Sequence, residues 1–583
     1  MASAALLARD APLSRLEWRR RTAQGEPNGW DDGVHPVLRG VYAARGVLHP
    51  TQAEHRLARL LPPDTLGGMG VAVDLLSQAV REHWSILIAG DYDCDGATGT
   101  ALAVRGLRLL GATQVDFAIP NRFVHGYGLS PALVASLQPT PQLIITVDNG
   151  VASVAGVAAA QARGIRVIVT DHHLPGEQLP AADAMVNPNL RGDGFPSKAL
   201  AGVGVMFYLL LALRARLRGQ GAYAARGEPD LSILLDLVAL GTVADLVPLD
   251  FNNRVLVEAG LKRIRSGRAV AGITALIESG KRSLTTLCAS DLAFVVAPRL
   301  NAAGRLEDMR LGVQCLLADD VVQARRCAEE LHTINQQRRE LQTAMVAEAE
   351  VMVAAATHTD AVGVALYEPS WHAGVVGLVA SKLKEQLHRP VIAFAPASED
   401  NTDELRGSAR SIGGFHIRDA LALLDARHPG LIERFGGHAM AAGLSLKTRD
   451  YPRFAAAFDA IARELLDEER LQAVLYTDGE LPPGAVTLEL ARQLRQAGPW
   501  GQAFPEPLFD NVFECRSWRV MGERHLRLDL CDPRDGALHE AVMFNAYHGQ
   551  PPPQRLRAAH ELVVNDWQGR ESPRLLLRHI EPA

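Results

Sequence analysis

Ser85-Ile86-Leu87-Ile88-Ala89-Gly90-Asp91-Tyr92-Asp93-Cys94-Asp95-Gly96 is the stretch that decides the reading of this chain. A short apolar run ends on glycine, carboxylates follow at i, i+2 and i+4, and residues 97–110 continue with helical composition. The order is strand, acidic loop, helix. Alternate side chains of an extended chain share a face, so Asp91, Asp93 and Asp95 are expected to converge. Converging carboxylates repel and raise one another's pKa. A divalent cation relieves that conflict, and oxygen donors favour Mg²⁺ or Mn²⁺. A calcium loop of the EF-hand kind shares the D-x-D-x-D-G spacing but needs a bidentate Glu at its twelfth position. Counted from Asp91 that position is Leu102, and a strand rather than a helix leads into the motif.

The same grammar recurs downstream. Residues 115–119 are a second strand candidate. Leu143-Ile144-Ile145-Thr146-Val147 is β-branched and ends at Asp148-Asn149-Gly150, and Val167-Ile168-Val169-Thr170 ends at Asp171-His172-His173. Strand, polar cluster and helix in repetition predict a parallel α/β sheet, whose ligands bind beyond the carboxyl ends of the strands. The imidazoles suit Mn²⁺ or another transition metal better than Mg²⁺ alone. Asp245 closes the apolar stretch Gly241-Thr242-Val243-Ala244, where an unpartnered carboxylate is expensive. Together these clusters can hold two metals, which clamp a phosphate, lower the pKa of a bridging water and stabilise the leaving oxygen. A metal-dependent phosphoester hydrolase is the expectation.

With 583 residues the chain exceeds one hydrophobic core, and two to four domains are expected. Its composition, 48% apolar and 22% charged, is that of a folded soluble protein. A net charge of -6 excludes a protein coated in positive charge but leaves room for a local basic channel. The six cysteines form no C-x-x-C pair, which speaks against a disulfide framework or zinc knuckle and for a reducing cytoplasm. The N-terminal apolar stretch lacks a basic leader, so no secretion signal is expected. The longest apolar run, residues 199–213, would span roughly 22 Å as a helix, short of the roughly 30 Å bilayer core. It predicts a buried helix and no membrane span, with Gly202 and Gly204 suited to close packing.

Residues 1–65 read as an N-terminal cap of unassigned role, and 66–310 as the catalytic α/β domain. Within the connecting region 311–356, residues 319–356 lack Gly and Pro and predict one helix of roughly 55 Å. A second, smaller α/β domain occupies 357–468, with strands at 361–367 and 391–395 around a helix at 373–387. Short alternating runs separated by prolines and glycines predict a small β-barrel or sandwich over 469–583.

At these motifs the chain resembles the DHH phosphoesterase superfamily, and within it the RecJ family of single-strand-specific 5′→3′ exonucleases. The likeness covers nearly the whole chain. It takes in Asp91 to Gly96, Asp148-Asn149-Gly150, Asp171-His172-His173 and Asp245. Pro120-Asn121-Arg122-Phe123, Gly126-Tyr127-Gly128-Leu129 and Pro298-Arg299-Leu300-Asn301-Ala302-Ala303-Gly304-Arg305 also match. So do Trp371-His372-Ala373-Gly374-Val375-Val376-Gly377, Ser408-Ala409-Arg410-Ser411 and Gly436-Gly437-His438. Cys94 and Ala409 stand where the family more often has Ala and Gly.

The resemblance implies a parallel-sheet DHH domain joined by a long helix to an α/β DHHA1 domain, with a C-terminal OB-like barrel. It implies Asp93, Asp95, Asp148, His172 and Asp245 as ligands of two Mn²⁺ or Mg²⁺ ions, with Asp148 bridging and Asp91 in the same motif. His173 would lie near the scissile phosphate. Ser408 and Arg410 would hold the DNA 5′ end, and Arg122, Arg299, Asn301, Gly436, Gly437 and His438 are further candidate substrate contacts. Arg299 and Arg305 have a structural alternative as ion-pair residues. The implied substrate is single-stranded DNA, released as 5′-mononucleotides in recombination and repair, with a helicase and a single-strand-binding protein as partners. Two other functions fit a DHH domain: a phosphodiesterase for short oligoribonucleotides or cyclic dinucleotides, and an inactive scaffold. The tail argues against the first and the full ligand set against the second.

Overall fold

A computed structural model describes residues 16–121, 124–225, 227–355, 361–398 and 401–583. Arg122, one of the expected substrate contacts, lies outside the described residues. After a short strand β1 (Glu17–Arg20), the catalytic domain lays down β2 (Ser85–Gly90), β3 (Gln114–Ala118), β4 (Leu143–Val147), β5 (Arg166–Thr170) and β6 (Ala184–Val186). They form one sheet in the order β3-β2-β4-β5-β6, and every neighbouring pair is parallel. Leu143 to Val147 are buried at every position, as expected of a parallel strand covered on both faces.

The register positions the chemistry. Gly90 lies opposite Val147, and Val147 opposite Thr170. The next residues, Asp91, Asp148 and Asp171, therefore leave the sheet side by side at one level. Strand order reverses between β2 and β4, which makes that edge a topological switch point where ligands bind.

The buried helix runs over Gly202–Gly219, three residues later than the apolar run begins. Gly202 explains the offset: a Cβ there would stand 2.4 Å from the Asp148 Cβ, so the helix start is pressed against the site. No helix among the described residues is long and apolar enough to cross a membrane. The connecting helix, Val321–Ala355, has 35 residues and spans roughly 52 Å. It leads to a second lobe with β7 (Val364–Tyr367), β8 (Val391–Ser398), β9 (Asn401–Arg410), β10 (Arg434–Gly437) and β11 (Ala441–Lys447), in the order β10-β11-β9-β8-β7. This lobe has its own cores, one of them built on Phe394, Phe454 and Phe458.

Next come β12 (Val474–Thr477), β13 (Phe509–Met521), β14 (His525–Cys531), β15 (Leu538–Met543), β16 (Arg555–Trp567) and β17 (Arg570–Pro582). The last five close into a barrel, β13-β14-β15-β17-β16. β13 and β16 run far past the short alternating segments visible in the sequence, because register shifts at Cys515/Ser517 and Ala559/His560 bend the strands and break their alternation.

The N-terminal segment has a structural role that its sequence did not disclose. β1 pairs in parallel with β12, and Arg45 forms a buried bidentate ion pair with Asp478 at 2.7 and 3.0 Å. One continuous hydrophobic core runs through this segment, the catalytic domain and the barrel. The core thus crosses the expected boundaries at 65 and 469.

Candidate metal centre and cleft

The motif at Asp91 adopts a different geometry from the extended chain expected of it. Asp93 is the N-cap of the Cys94–Leu110 helix and accepts from the Gly96 amide at 2.9 Å through Oδ1. Asp91 lies directly past the end of β2, whereas Asp95 sits in the first helical turn. The three carboxylates therefore diverge into two groups. Donor atoms of Asp91, Asp93 and Asp148 lie within 4.8 Å of one another, and so do those of Asp95, His172 and Asp245. Asp148, His172 and His173 form a third such group, which places Asp148 between the other two.

Each side chain is held by its backbone. Asp148 takes the left-handed region at φ 63°, a conformation Asp tolerates better than most residues. Both oxygens of Asp95 accept from the Gly202 and Val203 amides, at 2.6 and 2.9 Å; these are orphan donors at the start of a helix. Asp245 is the C-cap of the Leu235–Ala244 helix. Asp171 is fully committed to protein donors: Oδ1 accepts from the His172 and His173 amides and from His173 Nδ1, and Oδ2 from the Val151 amide. It orients His173. Asn187 and Asn189, just past β6, donate to the His173 and His172 carbonyls at 2.8 and 2.5 Å. Sequence reading missed this pair, although they follow a strand by the same grammar.

Electrostatics separates the adjacent histidines. Burial and the charge on His173 push His172 down to about 3, so it is neutral. The ring bonds to the Leu200 backbone, and its Nε2 lies 3.0 Å from Asp148 Oδ1 and 3.4 Å from Asp245 Oδ2. These three buried atoms have no hydrogen-bond partner. Burial also acts to lower His173, but the hydrogen bond and charge of Asp171, with Asp91 and Asp93, outweigh it and raise the ring to about 9. Burial, then Asp93, raises Asp95 to about 7. Burial, then the charges of Asp95 and Asp93, raise Asp148 and Asp245 well above the ordinary carboxylate range. Mutually repelling carboxylates around an imidazole nitrogen are the donor set of a divalent cation site, where a bound cation would take the place of the protons that these raised carboxyl groups otherwise hold.

Around His173 the cleft is aromatic. Tyr127 meets it edge-on at 6.2 Å, Tyr92 meets Tyr127 at 5.9 Å, and His438 of the second lobe stacks on it. Neither tyrosine was singled out from sequence. His438 follows Gly436 and Gly437 at the end of β10; nothing would meet a Cβ at Gly436, whose face is open.

The second lobe adds a cation pocket. Arg410 donates to the Ser408 hydroxyl at 3.0 Å, to the Ala409 carbonyl at 2.8 Å and to the Ser381 hydroxyl at 3.1 Å. The described residues offer it no carboxylate. Gly377, in the first turn of the Val376–Leu387 helix, faces this pair: a Cβ there would lie 2.8 Å from Ser408 Oγ and 2.9 Å from Arg410 Nη2.

Two expected substrate contacts are tied to the protein instead. Arg299 is buried and donates to His332 Nδ1 and to the Val295 and Ser279 carbonyls, which gives it a structural post. Asn301 accepts from the Cys94 amide at 2.7 Å. Trp371 is 3% exposed and donates to Glu348 on the connecting helix.

Comparison with known proteins places this architecture. Residues 85–242 match the DHH family, N-terminal domain, residues 356–464 the DHHA1 domain, and residues 477–579 the RecJ OB domain. The single-stranded-DNA-specific exonuclease RecJ of Dickeya dadantii is 51% identical, over 97% of this chain and 98% of that protein. Its Escherichia coli counterpart is 49% identical over 94% and 96%. The crystal structure of Thermus thermophilus RecJ in complex with Mn²⁺ superposes with a TM-score of 0.79 at 31% identity, covering 98% of this chain and 80% of that one.

Proposed function

The chain belongs to the RecJ family of DHH phosphoesterases, and we propose that it acts as a single-stranded-DNA-specific exonuclease working 5′→3′ and releasing 5′-mononucleotides. One observation carries the reading: the His173–His438 stack joins the carboxylate–histidine centre to the lobe that holds the Arg410 pocket. Solved RecJ structures hold Mn²⁺ or Mg²⁺, and the unpartnered donors described above fit the same ions here. Asp91, Asp93 and Asp148 would hold one and Asp95, His172 and Asp245 the other, with Asp148 shared. When bound, two such ions polarise the phosphoryl group, lower the pKa of the attacking water and stabilise the leaving oxygen.

The chain's own residues do the rest. Asp171 fixes the His173 ring, whose free nitrogen donates to a non-bridging oxygen of the scissile phosphate. Water attacks phosphorus, the P–O3′ bond breaks, and the released nucleotide keeps its 5′-phosphate. Arg410, Ser408 and the start of the Val376–Leu387 helix form an anion pocket for that 5′-phosphate, and this pocket gives the strand its polarity. The barrel offers Trp518 and Tyr547, whose rings lie 6.1 Å apart, as stacking surface for the trailing strand. Recombination and repair in the cytoplasm, beside a helicase and a single-strand-binding protein, is the setting this activity suits.

The test offers the purified protein, with Mn²⁺, 5′- and 3′-labelled single strands, duplex DNA, a short oligoribonucleotide and a cyclic dinucleotide. Mononucleotides released from the 5′ end of single strands support the reading. Preference for the short RNA or the cyclic dinucleotide overturns it in favour of a small-substrate phosphodiesterase. Mn²⁺ binding without turnover points to a scaffold.

A further inference from the structure

We propose that Asn301 is a positioning residue that sets the geometry between the two donor groups of the metal centre, and that its helix couples this geometry to the second lobe. The inference rests on the metal centre assigned above. Cys94 lies between Asp93 of one donor group and Asp95 of the other. Its amide opens the Cys94–Leu110 helix and so has no intrahelical acceptor. Asn301 Oδ1 accepts from it at 2.7 Å, while Asp93 Oδ1 takes the Gly96 amide. The angle between the Asp93 and Asp95 side chains is therefore fixed by a carboxamide from a helix more than 200 residues away in sequence.

That helix, Ala297–Leu306, grips the loop twice. Asn301 and Gly304 are three residues apart and share a helix face. A Cβ at Gly304 would stand 1.9 Å from the Tyr92 carbonyl oxygen, so the loop is seated on bare backbone. Tyr92 and Cys94 flank Asp93, which is thus clamped on both sides. The next residue, Arg305, donates to the Gly374 carbonyl of the second lobe at 3.3 Å, and Gly374 packs as closely on the Arg305 carbonyl. One helical turn therefore touches both the metal loop and the lobe that carries Arg410. The turn before it, Leu292–Val296, is π-helical, a deviation frequent at functional sites.

A direct DNA contact and a positioning role make opposite demands on metal binding. Mn²⁺ alone, without DNA, is titrated into the full-length protein and its Asn301→Ala, Asn301→Asp and Gly304→Ala variants, and bound Mn²⁺ is counted by electron paramagnetic resonance. Two ions bound by the parent protein test the metal centre itself, separately from this inference. Positioning predicts that Asn301→Ala weakens Mn²⁺ binding by about 10- to 100-fold, the range for residues that orient ligands. At saturating Mn²⁺ its KM for single strands should stay unchanged while kcat falls. Asn301→Asp keeps the acceptor and should bind Mn²⁺ within a few-fold of the parent. Gly304→Ala, which pushes on Tyr92, should weaken Mn²⁺ binding as well. Parent-like Mn²⁺ affinity in Asn301→Ala with a raised KM overturns the proposal. Failure of Asn301→Asp to bind Mn²⁺ overturns the hydrogen bond as its cause. Should Asn301→Ala not fold, the Gly304→Ala titration decides alone, parent-like affinity overturning the proposal.

Discussion

The imidazoles of His173 and His438 stack with centroids 5.6 Å apart and planes inclined by 29°. One ring follows β5 of the catalytic sheet and the other ends β10 of the second lobe, so this stack joins the two walls of the cleft. His173 is the cation of the pair, since burial, then the charges of His173 and Arg418, hold His438 below its ordinary value. His438→Ala should lower kcat on single strands by about 10-fold, equivalent to about 1.4 kcal/mol. His438→Phe should recover part of the loss if stacking matters, and none if the imidazole must donate to phosphate. Mn²⁺ affinity, read on the same variants, should not move.

Asp148→Asn separates chemistry from stability. Asn keeps the shape and tolerates φ 63°, but it cannot serve two cations. Loss of one electrostatic donor in an active site costs about 10²- to 10³-fold, and a shared ligand should stand at or above that range. In metal-free protein the same substitution removes one of several repelling carboxylates. Its Tm by calorimetry in a chelator should therefore equal or exceed the parent's. A near-normal rate would remove Asp148 from the bridging position.

The sheet and its chemical edge were legible because parallel strands announce themselves locally. Each apolar run stops where the register stops, and the polar residue after it faces the cleft. Asp148 and His172 could be singled out that way, and Asp245 because it closes an apolar stretch, here a helix, where a lone carboxylate needs a partner. The split of Asp91 and Asp93 from Asp95 could not, because it depends on the helix beginning at Cys94, three residues before its composition suggests. Nor could the attachment of the N-terminal segment: β1 finds its partner β12 more than 450 residues later. Asn301 carried a second difficulty. An exposed-looking polar residue in a matched motif reads as a substrate contact, and only the fold reveals that its acceptor is already occupied.

Gly377→Ala tests the 5′ pocket without touching the metal ligands. Its Cβ would displace the Arg410 guanidinium or the Ser408 hydroxyl by several tenths of an ångström. The KM for 5′-phosphorylated single strands should rise about 10-fold, near 1.4 kcal/mol of lost binding, and that for 5′-hydroxyl strands far less. An equal rise for both ends would place the 5′-phosphate elsewhere. Arg410→Ala should show the same discrimination, more strongly.

Arg45→Ala tests whether barrel and catalytic domain are one folding unit. The Arg45–Asp478 pair is almost wholly buried, with side chains 2% and 1% exposed. Removing one partner of such a pair strands the other charge and costs about 3–5 kcal/mol. Because one core spans the N-terminal segment, catalytic domain and barrel, the whole unit should lose stability together in a urea titration. A separate early transition confined to the barrel would contradict that continuity.

His560 gives the barrel an acid limit. It lies fully buried between Phe509 and Phe513, and Nε2 donates to Asn511 Oδ1 at 2.9 Å. Burial, with His539 nearby, holds the ring down at about 3, whereas the unfolded chain titrates near 6.5. Between those values the unfolded state binds the extra proton and the folded state does not. Stability is therefore full above about 6.5 and falls as pH drops, by up to about 1.4 kcal/mol per pH unit for this residue. His55, pushed to about 4 by burial, Arg254, Lys262 and Arg59, acts in the same direction. Urea titrations at pH 7 and pH 5 should show the loss. His560→Gln, destabilised at pH 7 by poorer packing, should have a flatter dependence; an unchanged slope would mean that His560 is protonated in the folded barrel.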